Sequence, residues 1–194
     1  YINNKDLGFN SDNIFYFIIR GTFQYDFEKA RQDLTHVKGI EAMGLSSSPL
    51  EVSNPFDDIS WSGKEDGVSS IFRKLAIGYE SIDLFKWEVL EGRNLNYDFA
   101  ENDINSFLVN ETAAHLIGEN VVGTTIEFKG KKGKVVGVIK DFNYSSLKSP
   151  IEPLIMHIGQ PIWTFIRYNP EHLSETLNEI KKYYMTTSDN YPFE

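Results

Sequence analysis

Residues Ile14 to Ser46 read IFYFIIRGTFQYDFEKARQDLTHVKGIEAMGLS, and the division of that run into elements decides the fold. IFYFII, Ile14 to Ile19, is short, apolar, β-branched and aromatic, which predicts a strand buried on both faces. In QYDFEKARQDLTHVKG the residues Phe27, Ala30, Leu34 and Val37 keep helical spacing, and Gly39 supplies a stop. IEAMGLS, Ile40 to Ser46, reads as a second strand. A helix of about three turns between two strands has the crossover length of a right-handed βαβ unit.

Outward from that unit the chain is rich in strands. From Ser47 to Val68 the texture changes to prolines and paired acids with no sustained period. This predicts a long loop or an excursion into a second subdomain, pinned by Phe56 and Trp61. SIFRKLAIGYESI, Ser70 to Ile82, alternates as a strand does, and a short helix is expected around Phe85 to Leu90, ended by Gly92. SFLVN, Ser106 to Asn110, reads as a strand leading into ETAAHLIG, where Asn110 caps a helix, Glu111 suits its first turn and Gly118 closes it. TTIEFKGKKGKVVGVIKDF predicts a hairpin turning around Gly130 to Gly133, and EPLIMHI and WTFIRYN predict two more strands. In the last helix Asn169 caps, Pro170 takes the first position, and Leu173, Leu177, Ile180 and Tyr184 form the apolar stripe. The first βαβ and the last βα then complete one split α+β sheet with both long helices on one face, and the middle forms a second, smaller lobe. No internal repeat of solenoid period is present.

At 194 residues, with 41% hydrophobic and 14% aromatic residues, the chain can bury a core without disulfide staples. A formal net charge of −9 argues against a nucleic-acid partner, whose phosphates demand a basic surface. The absence of cysteine removes disulfides, thiol catalysis and cysteine-ligated zinc. No run approaches the roughly 18 apolar residues of a membrane span. The chain opens on Tyr1 without an initiator Met, and is read as a domain cut from a longer protein.

The search for chemistry returns little. His36, His115, His157 and His172 fall in different elements and lack the i, i+4 spacing of helical zinc proteases. No serine has the strained-turn context of a nucleophile. DFAENDIN, Asp98 to Asn105, does not align with a calcium loop from any starting point. Lys129, Lys131, Lys132 and Lys134 flank the hairpin turn; they read as a charged tip that keeps an edge soluble, or as a contact for anionic lipid or an acidic partner. Asp141, at the end of GVIKD, reads as a carboxylate that accepts backbone hydrogen bonds and orders the following turn rather than as a catalytic acid.

Taken in order, NNKDLGFNSDNIFYFII, VKGIEAMGLSSSP, YESIDLFKWEVLEGRNL, FLVNETAAHLIG, GTTIEFKGKKGKVVGVIKDFNYSSLKSPIEPLIM and the terminal NYPFE resemble the periplasmic domain of FtsX-like, MacB-like ABC-transporter permeases, in the versions of Bacteroidetes-type bacteria. The resemblance covers nearly all 194 residues. Its most specific markers are NET before a short helix and GVIKDF before an aromatic and Ser-Leu, so Gly8, Asn110, Glu111, Gly137, Asp141 and Phe142 stand as scaffold signature residues. The resemblance implies an α+β fold with a split βαβ…βα Porter-like subdomain, approximately 1–50 with 151–194, and a smaller β-rich Sabre-like subdomain, approximately 51–150. It also implies a place on the periplasmic side of the inner membrane and no catalytic, metal or cofactor site in this domain. ATP would be used by an associated cytoplasmic ATPase domain or subunit, with a second permease copy as partner and a periplasmic adaptor protein as a candidate third. The role implied is mechanotransmission, coupling ATP hydrolysis to movement outside the membrane for export or extraction of cargo.

Two expectations separate this reading from its rival. A membrane-inserted domain places Tyr1 and Glu194 on one side and, once excised, is expected to be monomeric. A periplasmic sensor or ligand-binding domain instead needs a cleft between the lobes, with Trp61, Trp163 and Tyr79 as candidate lining. A hydrolase is a more distant third.

Overall fold

The computed structural model describes residues 12–21, 27–49, 55–56, 59–65, 67, 70–128, 130–143, 150–159, 161–188 and 193. Through these the chain runs β1 (Ile14–Ile18), α1 (Phe27–Leu34), β2 (Ile40–Ser46), β3 (Pro55–Phe56), β4 (Ile59–Trp61), β5 (Phe72–Ile77), α2 (Ser81–Phe85) and β6 (Val89–Gly92). A 3-10 turn, Tyr97–Phe99, leads into α3 (Ala100–Asp103). There follow β7 (Ser106–Asn110), α4 (Glu111–Ile117), β8 (Thr125–Phe128), β9 (Lys131–Ile139), β10 (Leu154–Ile158), β11 (Trp163–Tyr168) and, after a second 3-10 turn, α5 (Leu173–Thr187).

All the described strands belong to one mixed sheet, ordered β1-β11-β2-β5-β10-β7-β9-β8-β4, with β3 on β5 and β6 on β9. β1 and β2 both run antiparallel to β11, which lies between them, so the expected split βαβ…βα arrangement is present. Ala30 and Leu34 of α1 pack with Ile180 and Tyr184 of α5 on Phe17, Met43 and Ile166, which puts both long helices on one face. The Tyr184 hydroxyl donates to the Ile18 carbonyl at 3.2 Å, satisfying a polar tip inside this layer.

The remaining strands curl. β3 and β4 are two residues apart in sequence, yet β3 pairs with β5 and β4 with β8. The stretch from Pro55 to Trp61 thereby ties the two sides of β5-β10-β7-β9-β8 together. Ile59, Phe72, Phe107, Val109, Ile126, Val135 and Ile155 fill the interior, with Ala113 of α4 and Val121. A third cluster joins the two parts: Phe165 of β11 meets Leu75, Phe85, Trp87, Phe142 and Met156. The backbone seam itself is thin, a single antiparallel pair, Ser46 with Ile77.

Four details differ from the expectations. β1 is the end strand of the sheet order and the helices cover one of its faces, so Tyr16 is 47% exposed rather than buried. The short helix is Ser81–Phe85, not Phe85 to Leu90. Lys86 adopts a left-handed conformation (φ 54°), its N–H reaches the Asp83 and Ile82 carbonyls, and Val89–Gly92 is a strand on β9. The hairpin turns before Lys131 and not around Gly130 to Gly133, since Phe128 already pairs with Lys131. Gly133 lies inside β9, where a Cβ would come within 2.0 Å of the Asn105 carbonyl oxygen, so the glycine serves close approach and not a turn.

Candidate functional site

The two signature motifs meet in space. Asn110, fully buried at the end of β7, caps α4: its Oδ1 accepts from the Ala113 N–H at 3.0 Å. The same oxygen accepts from the Leu154 N–H at 2.8 Å, and Nδ2 donates to the Glu152 carbonyl at 3.1 Å, which fixes the entrance of β10. Glu111 Oε2 accepts from the Asp141 N–H at 2.9 Å. Asp141 answers with both oxygens, accepting from the Thr112 N–H at 3.1 Å and the Thr112 hydroxyl at 2.6 Å. Thus the carboxylate at the end of β9 caps a helix 29 residues earlier in the chain. The turn it was expected to order, FNYSSL at 142–147, lies outside the described residues from 144 onward, as does Gly8.

Gly137 and Phe142 complete the joint. A Cβ on Gly137 would stand 2.3 Å from the Arg93 carbonyl oxygen, so only glycine lets β9 approach the chain after β6. Phe142 is fully buried with its ring 4.9 Å from that of Trp87. Asn110, Glu111 and Asp141 thus join β7, α4, β9 and β10, while Gly137 and Phe142 seat β9 and its exit against Arg93 and Trp87.

A second constellation lies elsewhere and has no signal in the sequence. The Tyr97 hydroxyl stands between two carboxylates, 2.5 Å from Glu80 Oε1 and 3.0 Å from Glu28 Oε2. Arg31 holds Glu28 through its Nε at 3.0 Å and approaches Glu80 at 3.5 Å. Arg31's hydrogen bond keeps the Glu28 carboxyl below its ordinary range, while burial and then Glu80 push the Tyr97 phenol far upward. This clasp ties α1 to the turn before α2 and to the 3-10 turn before α3. Its members are 17 and 69 residues apart, beyond any local pattern.

The acidic stretch that faintly suggested a calcium loop is a structural lock. Arg93 forks onto Asp103 at 2.9 and 2.7 Å, and the Asn96 N–H donates to the same carboxylate at 2.9 Å. Burial alone would raise the Asp103 pKa; the hydrogen bonds from Arg93 and Asn96 outweigh it and hold the group low. Among the described residues no group of three or more His, Asp or Glu is placed to hold a metal ion. Trp61, Trp163 and Tyr79 lie in three places: Trp61 against Phe72 and the Lys64 ammonium, Trp163 against Tyr16, and Tyr79 against Tyr97. A shallow cleft of about 260 Å³ lies instead between α1 and α5, lined by Leu34, Val37, Asp33, Tyr183 and Thr186. Tyr1 and Glu194, whose proximity was expected, lie outside the described residues.

The chain matches the MacB-like periplasmic core domain model over residues 4–179, and it belongs to that family. The fold is similar to the extracellular domain of the noncanonic ABC-type transporter YknZ from Gram-positive bacteria, with a TM-score of 0.65 and 13% identity over 94% of this chain and 100% of that one. It is likewise similar to the periplasmic region of MacB from Actinobacillus actinomycetemcomitans, with a TM-score of 0.64 and 16% identity over 94% of this chain and 88% of that one. No curated protein matches the chain in sequence. The domain is thus the periplasmic core domain of a MacB-like ABC-transporter permease, a class that works with cytoplasmic ATPases. Among the described residues no helix is long and apolar enough to cross a membrane.

Proposed function

We propose that this domain is non-catalytic and acts as the outer lever of its permease, passing movement driven by cytoplasmic ATP hydrolysis to cargo or to a periplasmic adaptor. The permease sits in the inner membrane and works as a pair of copies. ATP is used by the associated ATPase, and this domain needs no cofactor of its own. The subdomain division, approximately 1–50 with 151–194 against 51–150, belongs to the same proposal, with β10 as the strand that the first part lends to the second.

The observation that carries the reading is the use made of Asn110, Glu111, Thr112 and Asp141. Their polar atoms are bound to the backbone of α4, to the entrance of β10, to the exit of β9 and to one another. A catalytic carboxylate needs a reacting atom in reach and a tuned protonation state. Asp141 spends both oxygens on a helix end. Such a joint stiffens a body that has to move as a unit, and transmission through a stiff body needs no chemistry.

The test reads the inside from the outside. Ile104, 66% exposed beside α3, is replaced by cysteine in the full-length permease with its ATPase, and the two copies are joined by reversible bis-thiol reagents of graded length. ATP hydrolysis is expected to fall several-fold on cross-linking and to recover on reduction. Undiminished hydrolysis in the cross-linked pair would overturn the proposal.

A further inference from the structure

Of the nine large apolar residues that stand exposed among the described ones, three fall between Tyr97 and Ile104. Tyr97 has a use inside the chain, with its ring on Tyr79 and its hydroxyl in the clasp. Phe99 is 45% exposed, and Ile104, at 66%, is the most open of the nine. They flank α3, which has four residues and so is only about 6 Å long, and they therefore share one small patch. The patch is stiff. The Arg93 guanidinium lies 4.4 Å over the Phe99 ring, and its fork on the buried Asp103 fixes the residue before Ile104. The Ser106 hydroxyl donates to the Asn102 carbonyl at 3.1 Å. An apolar side chain on so fixed a backbone needs little further ordering when something meets it.

The two sides of Ile104 carry opposite charge. Glu101, exposed, lies one helical turn before it. On the other side the Lys134 N–H donates to the Asn105 carbonyl at 3.1 Å, which sets the exposed Lys134 just beyond Asn105. The order across the surface is therefore acid, isoleucine, base. A two-fold axis through Ile104 turns that order end for end, and lays Glu101 of each copy against Lys134 of the other. The surface is thus complementary in charge to itself, with its most exposed apolar residue at the centre.

We propose that this patch is where the two periplasmic domains of one permease touch, in a two-fold contact of Phe99 and Ile104 rimmed by Glu101–Lys134 pairs. The proposal rests on the reading of the domain as one of a pair of moving levers. One short helix and its flanks fall well below the roughly 800 Å² per partner of a stable interface, so the contact is transient. The excised domain stays monomeric, and closure relies on the high effective concentration that two copies share in one membrane assembly.

The experiment is disulfide trapping in the full-length permease with its ATPase in a bilayer. Ile104→Cys is compared with Leu116→Cys, a control position 44% exposed on α4, each oxidised with copper phenanthroline in the presence and absence of ATP. Ile104→Cys is expected to join the two copies several-fold faster than the control in at least one of the two states. Glu101→Lys in that background sets like charges opposite each other and is expected to slow trapping several-fold. Adding Lys134→Glu exchanges the signs of the same pair and is expected to restore the rate. No disulfide at Ile104, a rate no greater than at Leu116, or a rate that Glu101→Lys leaves unchanged would each overturn the proposal. Trapping that is equally fast with and without ATP supports the contact and counts against a lever driven by ATP, so the two readings fail separately.

Discussion

At Asn110 both ends of the side-chain amide are in use, and the residue has no exposed surface. Asn110→Ala strands two backbone N–H groups and one carbonyl, and is expected to cost about 2–4 kcal/mol, measured by urea denaturation of the domain. Asp141 is different in kind because it acts through Thr112. Thr112→Val and Asp141→Ala should therefore couple in a double-mutant cycle, with an interaction energy of about 1 kcal/mol; strict additivity would show that the hydroxyl contact at 2.6 Å contributes nothing. The chemistry of Asn110 was legible in sequence, since a cap and the helix it starts are neighbours. The partners of Asp141 were not, because 29 residues and two strands separate it from Thr112. Tyr97 shows the limit more sharply. Nothing near it in sequence points to Glu28, and the contact exists only because the folded sheet brings α1 beside the 3-10 turn.

Elements whose ends carry their own signals match to the residue: β2 from its apolar run, and β7 with α4 from Asn110 and Gly118; in the last helix Asn169 and Pro170 instead open a 3-10 turn, and α5 itself starts at Leu173. α2 was misplaced because its stop is Lys86 in a left-handed conformation, a role that glycine usually fills. Gly92 was read as that stop, but it belongs to β6, where a Cβ would come within 2.2 Å of the Val136 carbonyl oxygen. Where α1 and α5 share a core, Ile180→Ala is expected to cost about 2–5 kcal/mol in thermal or urea unfolding, as for other buried aliphatic deletions. The lock between Arg93 and α3 has a pH signature. Asp103 is held below its ordinary pKa in the folded chain, so the unfolded chain binds its proton first as the solution is acidified. The stability it contributes is complete above the unfolded value, about pH 4, and is lost as pH falls through the folded one. Asp103→Asn should flatten that part of the acid-denaturation profile while lowering stability at neutral pH.

On the scale of the whole molecule, one sheet runs from β1 to β4, and its two parts are held by a single backbone pair, an aromatic-rich core and the clasp at Tyr97. The split arrangement of β1, β11 and β2 was legible because periodicity and crossover length are local. The curl of the middle was not, since it depends on Pro55–Phe56 and Ile59–Trp61 pairing to opposite sides. Membership in the MacB-like periplasmic core domains places this body on the periplasmic side, away from the cytoplasmic ATPases with which such permeases work. Whether it moves with its ATPase is best measured on the full-length permease in a bilayer. A spin label at Ile104→Cys on each copy gives the distance between periplasmic domains, with and without ATP under conditions that block hydrolysis. A distance distribution that shifts between the two states is the result this account predicts. One that stays fixed while the ATPase turns over would contradict it.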